Sequence, residues 1–239
     1  MSKHEQYRIT PGSKVDLSKF KTDDDGGLDK ADAQREFAEL SDRLTKLQEL
    51  MYAEAKHALL VVLQAMDAGG KDSTIRSLFA QINPQGRKVI NFKAPNDVEL
   101  KHDFLWRIHE NTPRLGYLGV FNRSYYEDVL VVRVKNLVPE KRWKERYDHI
   151  NHFEKMLTDE GTTVVKFFLH ISKDYQKERL QRRLERPDKF WKFDPSDLAE
   201  RRRWDDYQKA YEDALSRCST GYAPWYVIPA ERRWYRNLL

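Results

Sequence analysis

A glycine-containing turn at residues 65–74 has the residue types that bind phosphate. Gly69 and Gly70 let the backbone curl closely around phosphate oxygens, and Lys71 adds a positive charge. Backbone N–H groups at the start of a following helix would point at the same anion, which the helix dipole also favours. The pattern therefore predicts a phosphate-binding loop, with contacts from Ala68, Gly69, Gly70, Lys71, Asp72 and Ser73.

The turn departs in two places from the usual pattern G-x-x-x-x-G-K followed by Ser or Thr. Ala65 replaces the first glycine, and Asp72 replaces the hydroxyl residue that binds Mg²⁺. The alternative is a glycine-rich turn that only caps a helix. Asp67 favours the phosphate site, because a carboxylate beside phosphates needs a metal ion or a proton donor between them. We therefore predict Asp67 as a ligand of Mg²⁺, with Mn²⁺ as the alternative ion.

A second polar group follows the strand predicted at residues 116–121. Arg123 is placed to meet a phosphate close to the Lys71 end of the turn. In P-loop enzymes a metal-associated acid ends the neighbouring strand, and here that position is Asn122. Arg133 is a charge among apolar residues, so it needs either a carboxylate or a bound phosphate as its partner. We favour the phosphate.

Basic residues are concentrated between residues 176 and 192, where few acids balance them. Arg179, Arg183 and Arg186 share one face of a predicted helix that Pro187 should end. Two arginine-rich helices joined by a proline-containing turn resemble the lid of a nucleotide kinase, which neutralises phosphoryl charge and excludes water. The alternative is a solvated charged face. The lid interpretation predicts phosphate contacts from Arg179, Arg182, Arg183 and Arg186.

The elements that must position these residues alternate between strand and helix. Strands are predicted at residues 58–65, 87–92, 116–121, 163–170 and 223–228, and helices at about 29–57, 72–82 and 96–109. Such alternation predicts an α/β fold with a central parallel sheet covered on both sides. We predict an N-terminal arm and helix at 1–57, packed on the core, and a phosphotransferase domain at 58–239 with a lid at about 174–206.

The helix predicted at 29–57 carries one apolar stripe, formed by Phe37, Leu40, Leu44, Leu47 and Met51. The stripe fits packing on the body of the protein, and the alternative is an oligomer-forming coiled coil.

Composition narrows the class of protein. With 239 residues and a net charge of +5, the chain suits one α/β domain with a mixed surface. Cys218 is the single cysteine, so no disulfide forms within the chain, and we predict that it packs in the core. No apolar run is long enough for a membrane helix, and the polar start predicts a cytoplasmic protein without a membrane partner.

Four segments together resemble family 2 polyphosphate kinases: MDAGGKD (66–72), NRSYYED (122–128), RPDK (186–189) with WKF (191–193), and APWYVIPA (223–230). As a set they cover the chain from about residue 58 onward. The resemblance implies a three-layer P-loop kinase fold with a helical lid, dependence on Mg²⁺, and a basic channel for inorganic polyphosphate. It also implies a homo-oligomer, either a dimer or a tetramer.

The resemblance implies catalytic roles for Asp67, Lys71, Arg123 and Asp128, with Asp67 and Asp128 as the metal ligands. Family members often carry Asp where this chain has Asn122, so in our prediction Asp128 binds the metal in place of that aspartate. The Glu127-Asp128 pair resembles the subgroup, often named class III, that phosphorylates both nucleoside mono- and diphosphates.

We therefore predict reversible, Mg²⁺-dependent phosphoryl transfer from polyphosphate to ADP and AMP, with ATP as a product or reverse substrate. The nucleotide pocket is predicted from Lys93, Asn96, Phe104, Arg107 and Glu127. The enzyme alternative is an ATP-dependent nucleoside monophosphate kinase. The non-catalytic alternative is an RNA-binding basic protein, which is disfavoured because no nucleic-acid module accompanies the arginines.

Overall fold

The computed structural model describes residues 4–239, so the first three residues of the predicted N-terminal arm lie outside it. Its centre is a parallel sheet with the strand order β2-β3-β1-β4-β5. The strands are β1 (Ala58–Ala65), β2 (Arg87–Asn91), β3 (Leu118–Asn122), β4 (Thr162–His170) and β5 (Trp225–Pro229). Each overlaps a strand predicted from the sequence.

Helices cover both faces of this sheet. They are α1 (Lys30–Glu54), α2 (Lys71–Phe79), α3 (Trp106–His109), α4 (Val131–Val134), α5 (Glu140–Asp159), α6 (Lys173–Glu185), α7 (Ser196–Arg202), α8 (Trp204–Cys218) and α9 (Arg233–Leu238). In β1, alternate residues face opposite layers: Leu60 and Val62 belong to one core cluster, and Val61 and Leu63 to the other. The three layers confirm the predicted α/β fold.

A charged pair lies fully buried between the sheet and α5. Lys166 of β4 donates from Nζ to Glu154 Oε2 at 2.5 Å, and neither side chain is exposed. The hydroxyls of Tyr125 and Tyr126 each donate to the other carboxylate oxygen at 2.8 Å. The pair therefore anchors the turn that follows β3. Cys218, whose carbonyl oxygen accepts from Lys166 at 2.6 Å, is free and buried, as predicted.

One sequence prediction needs correction in detail. Asn96 caps the next turn with its side chain, but the helix predicted at 96–109 is interrupted. A 3₁₀ turn at Glu99–Lys101 ends at the extended residue His102, and the Asp103 side chain then accepts from the Leu105 N–H and starts a new turn.

The apolar stripe of α1 is only partly covered. Phe37, Leu44 and Met51 pack on the body, whereas Leu40 and Leu47 are 44% and 51% exposed. Within residues 4–239, no helix is both long and apolar enough to cross a lipid bilayer.

Candidate active site

The predicted phosphate turn joins β1 to α2 at the carboxyl edge of the sheet. Ala68 and Gly70 adopt left-handed backbone conformations, with φ of 64° and 99°. A Cβ on Gly69 would lie 2.7 Å from the Ala65 Cβ and 2.8 Å from the Met66 carbonyl oxygen, so only glycine fits there. The turn leads directly into α2, whose first N–H groups have no helical partners and suit an anion.

Arg123 connects this turn with the end of β3. It has left-handed backbone (φ 62°), and its N–H donates to the Leu63 carbonyl oxygen at 3.1 Å. Its Nη2 donates to Asp67 Oδ1 at 2.8 Å, and its Nη1 lies 3.5 Å from Glu127 Oε2. The Glu127 carboxylate, opposed by burial and helped by Asp67, raises the pKa of Arg123. The structure thus brings three predicted site residues into one charged group.

Lys71 follows the turn and lines its open side. Its Nζ donates to the Ala65 carbonyl oxygen at 3.0 Å, so the ammonium group lies against the turn. Burial, and then the nearby Arg123 guanidinium, lower the pKa of Lys71 to about 8, although the carboxylates of Asp67, Glu127 and Asp72 oppose this shift. A bound phosphate would favour the protonated form, because an opposite charge nearby stabilises it.

Asp72 connects the turn with two neighbouring elements. Its Oδ1 accepts from Asn122 Nδ2 at 2.9 Å, and its Oδ2 lies 3.4 Å from Lys192 Nζ. Asn122 also donates to Asn91 Oδ1 at 2.7 Å across the ends of β3 and β2. The Ser73 hydroxyl donates to the Gly70 carbonyl oxygen at 2.8 Å. Asn122 therefore acts as a hydrogen-bond donor at the strand end.

A cleft of about 760 Å³ opens over the turn, and we call it the donor cleft. Its walls come from the turn, the ends of β2 and β3, α6 with the following turn, and α9. The basic residues that line it are Lys71, Arg76, Lys93, Arg123, Arg179, Arg182, Arg183, Arg186, Lys189, Lys192 and Arg233. Among the described residues, the only acids lining the donor cleft are Asp67 and Asp72. This excess of positive charge suits a polyanion.

The four predicted lid arginines all line the donor cleft, but their own partners differ. Arg183 donates from Nη1 to Asp197 Oδ2 at 2.8 Å, which ties α6 to α7. Arg186 donates to both carboxylate oxygens of Asp188 at 3.0 Å. Burial, and then the neighbouring Arg233, lower the pKa of Arg179. An anion near Arg179 would offset this crowding of positive charge.

The structure does not bring Arg133 to the turn. It lies in α4, where its Nη1 donates to Asp213 Oδ2 at 2.6 Å and to the Tyr147 hydroxyl at 3.3 Å. Its guanidinium also lies 4.7 Å from the centre of the Trp143 ring. The sequence left open whether Arg133 pairs with a carboxylate or with a bound phosphate. Because α4 packs on α8, its partner in the structure is the Asp213 carboxylate.

A second cavity, of about 690 Å³, lies between α5 and the chain from Pro95 to Arg107, and we call it the acceptor cavity. Asp128 lines it and accepts from Arg146 Nη1 at 2.9 Å. Burial raises the pKa of Asp128 to about 6, against the opposing effects of Arg146 and Arg107. Asp67 lines the donor cleft instead, so the structure does not bring the two predicted metal ligands into one cavity.

The predicted nucleotide residues divide between these sites. Phe104 and Arg107 line the acceptor cavity, and Lys93 lines the donor cleft. Arg107 Nη1 donates to the Lys93 carbonyl oxygen at 2.9 Å, so the two cavities meet at this segment. Asn96 lines neither of them because its side chain caps a turn. Glu127 pairs with Arg123.

Several residues of the donor cleft were not predicted as site residues: Arg76, Asn91, Phe92, Lys189, Trp191, Lys192 and Arg233. Arg233 follows β5, and the carboxyl ends of parallel strands share one edge of the sheet. The arginines at 232, 233 and 236, directly after a predicted strand, were therefore a usable signal.

The donor cleft also contains oxygen ligands suited to Mg²⁺. This ion is usually held by one or two carboxylates together with substrate phosphates. Asp67 and Asp72 provide two carboxylates beside the turn. Residues 4–239 contain no group of three or more His, Cys, Asp or Glu side chains that could hold a metal. The donor set therefore fits an ion that binds jointly with phosphate oxygens.

Residues 27–239 match the family model described as Polyphosphate kinase 2 (PPK2). The chain is 58% identical over 236 residues to the AMP/ADP-polyphosphate phosphotransferase of Meiothermus ruber, covering 98% of this chain and 88% of the relative. It is 46% identical over 242 residues to the ADP-polyphosphate phosphotransferase of Rhodopseudomonas palustris, covering 96% and 84%. The crystal structure of Polyphosphate Kinase 2 from Arthrobacter aurescens TC1 superimposes with a TM-score of 0.93 at 44% identity, covering 98% and 86%.

Proposed function

The chain belongs to the polyphosphate kinase 2 family, and from this premise we propose that it reversibly transfers a phosphoryl group from inorganic polyphosphate to ADP and AMP. The observation that carries the proposal is the donor cleft, in which basic side chains from α2, the ends of β2 and β3, α6 with the following turn, and α9 surround the phosphate turn. A linear chain of phosphates matches this distribution, because its charges repeat along its whole length.

Polyphosphate is proposed to lie along the donor cleft with its terminal phosphoryl group at the turn. Lys71 and Arg123 would contact that group, and Arg179 and Arg182 would hold the chain further out. The salt links of Arg183 and Arg186 within the lid would support its shape. When α6 and the turn after it exclude water, loss of the phosphoryl group to hydrolysis is suppressed.

The nucleotide is proposed to occupy the acceptor cavity. Its lining combines an aromatic ring, Phe104, with cations at Arg107, Arg142 and Arg146. This is the usual composition of a small-molecule site, where an apolar surface is combined with a few polar groups. Asp128 belongs to this side in the proposal, because it pairs with Arg146 at 2.9 Å and lines the acceptor cavity.

In the transfer step, an oxygen of the acceptor phosphate forms a bond to the terminal phosphorus of polyphosphate. The bond from that phosphorus to the bridging oxygen breaks, and polyphosphate leaves one unit shorter. The attacking oxygen is already anionic, so no side chain has to remove a proton. One phosphoanhydride replaces another with either acceptor, which makes the step nearly thermoneutral and therefore reversible.

Catalysis would then consist of positioning and charge neutralisation. Lys71 and Arg123 provide fixed positive charge at the turn. Mg²⁺, held by Asp67 and Asp72 together with phosphate oxygens, would neutralise part of the remaining negative charge. The Arg123 link to Asp67, at 2.8 Å, fixes the direction of that carboxylate.

The deciding assay incubates the protein with ADP, Mg²⁺ and polyphosphate, without ATP, and follows ATP formation. AMP replaces ADP in a parallel reaction. Lys71→Met and Asp67→Ala should lose about 10²–10³ in rate, as is typical when one charge-stabilising group is removed. Arg43→Met, on the exposed face of α1, is the control and should keep full activity. If ATP but not polyphosphate phosphorylates AMP, the chain is a nucleoside monophosphate kinase and the proposal is wrong.

The proposal includes a cytoplasmic homo-oligomer without a nucleic-acid partner. Leu40, Leu47 and Leu50 of α1 support association because all three are exposed. The free Cys218 supports a reducing compartment. Analytical ultracentrifugation of the wild type and of a variant with all three leucines changed to serine tests the oligomer, and a monomeric wild type would contradict it.

A further inference from the structure

Helix α9 places a buried guanidinium directly behind the phosphate turn. Arg236 is only 4% exposed. Its Nη1 fills the space that a Cβ on Gly70 would need, and its Cζ lies 3.6 Å from that position. The Ser73 hydroxyl is the next neighbour of the same position, at 3.4 Å. Arg236 therefore packs against the turn at the residue that precedes Lys71.

The surroundings of Arg236 do not balance its charge. Its Nε and Nη2 donate to Asn237 Oδ1 at 3.2 and 2.9 Å, which is a neutral acceptor. Within residues 4–239, none of the ion pairs joins Arg236 to a carboxylate. Burial lowers the pKa of Arg236 to about 10, and the like charges of Arg233 and Arg179 act in the same direction, against Tyr175. A buried cation without a counter-charge is unfavourable.

Arg236 does not line the donor cleft itself, but it packs against the turn at Gly70, which does. The rest of α9 is fixed by side-chain contacts: the Tyr235 hydroxyl lies 2.8 Å from that of Tyr7, which donates to Asp24 at 2.7 Å. Arg233, three residues before Arg236, lines the donor cleft itself. Residues three apart share one helix face, so α9 presents two cations toward the phosphate turn.

We propose that Arg236 is a positioning residue for the donor: it supports the turn at Gly70, and a phosphate bound on the open side of the turn provides its missing counter-charge. The inference rests on the proposed function, since it assumes that polyphosphate occupies the donor cleft. It predicts that donor binding stabilises α9, and that Arg236 affects the donor far more than the nucleotide.

The test compares Arg236→Met and Arg236→Lys with the wild type and with the exposed control Arg43→Met. Three quantities are measured: the KM for polyphosphate, the KM for AMP, and the rise in Tm that tripolyphosphate causes. Arg236→Met should raise the KM for polyphosphate about 10- to 100-fold, because the bound phosphate loses a buried opposite charge and the turn loses its support at Gly70. Its KM for AMP should change less than about twofold. The KM of Arg236→Lys for polyphosphate should lie between those of the wild type and Arg236→Met, because lysine keeps the charge without the planar fork.

A purely structural role would give a different result. Arg236→Met would then lower Tm without ligand, but tripolyphosphate would still raise Tm as much as in the wild type, and the two KM values would keep their ratio. That result overturns the inference. If Arg236→Met does not fold, Arg236→Lys decides: its KM for polyphosphate must rise while that for AMP does not, and unchanged values for both refute the proposal.

The outcome for the wild type separates the two proposals. A wild-type protein that neither binds tripolyphosphate nor uses polyphosphate contradicts the proposed function. A wild-type protein that does both, with an Arg236→Met variant that responds equally, contradicts only the role of Arg236.

Discussion

Raising the pH from about 7 to about 9 should remove most of the enzyme's ability to capture polyphosphate, because Lys71 loses its proton over that range. Its pKa is lowered to about 8 by burial and by Arg123, so the proton leaves as the pH rises through that value. The neutral amine adds no charge at the turn, and capture of the donor weakens accordingly.

The size of the effect follows from the pKa of Lys71. A group with a pKa of about 8 is about 90% protonated at pH 7 and about 10% at pH 9. The value of kcat/KM for polyphosphate should therefore fall about tenfold, since it reports the free enzyme. The value of kcat should fall much less, because bound phosphates raise the pKa of the ammonium group.

The assay measures initial rates of ATP formation from ADP at saturating ADP and Mg²⁺, with polyphosphate varied at each pH. Lys71→Arg is the matched control, because a guanidinium stays charged throughout this range. Its kcat/KM should be lower but flat between pH 7 and 9. The same alkaline fall in Lys71→Arg would refute the reasoning, since another group or the substrate would then be titrating.

Three further predictions concern the turn, the lid and the core. Gly69→Ala should abolish turnover because the added Cβ has no room. Gly221→Ala, at a position with open space, is the control and should leave kcat and Tm unchanged. Equal losses of kcat in the two variants would contradict this prediction. Arg182→Met should raise the KM for polyphosphate about threefold to tenfold without changing Tm, because this exposed side chain lines the donor cleft, and an unchanged KM would remove it from the site. Lys166→Met should lower the unfolding free energy by about 3–5 kcal/mol in urea titrations, because it leaves the Glu154 carboxylate buried without a cation; a loss below about 1 kcal/mol would contradict this.

The strands could be predicted because their signals are local. The continuous apolar run at Ala58–Ala65 is typical of a strand buried on both faces, and β1 occupies the same residues. The interruption of the helix near Asn96 was not predicted, although Asp103, whose side chain competes for the backbone there, is a local signal as well. Helix α5 is absent from the predictions, although its buried residues Trp143, Tyr147 and Ile150 recur at helical spacing.

In the candidate site, too, local features could be predicted from the sequence and long-range contacts could not. The phosphate turn was visible because its glycines and Lys71 are contiguous. The positions of Arg133 and Asp128 depend on how α4 and α5 pack, and nearness to Arg123 in sequence does not determine that. The carboxylate partner of Arg133 is Asp213, 80 residues away in sequence. Contacts of this range leave no local pattern.

The separation of the donor cleft from the acceptor cavity has a consequence for successive turnovers. The phosphorylated nucleotide can leave, and a new acceptor nucleotide can enter, without passing through the space that polyphosphate occupies. The shortened polymer then needs only to slide inward by one unit for its new end to reach Lys71. In the proposed assignment of the two sites, this geometry permits processive consumption of a single polymer over many cycles.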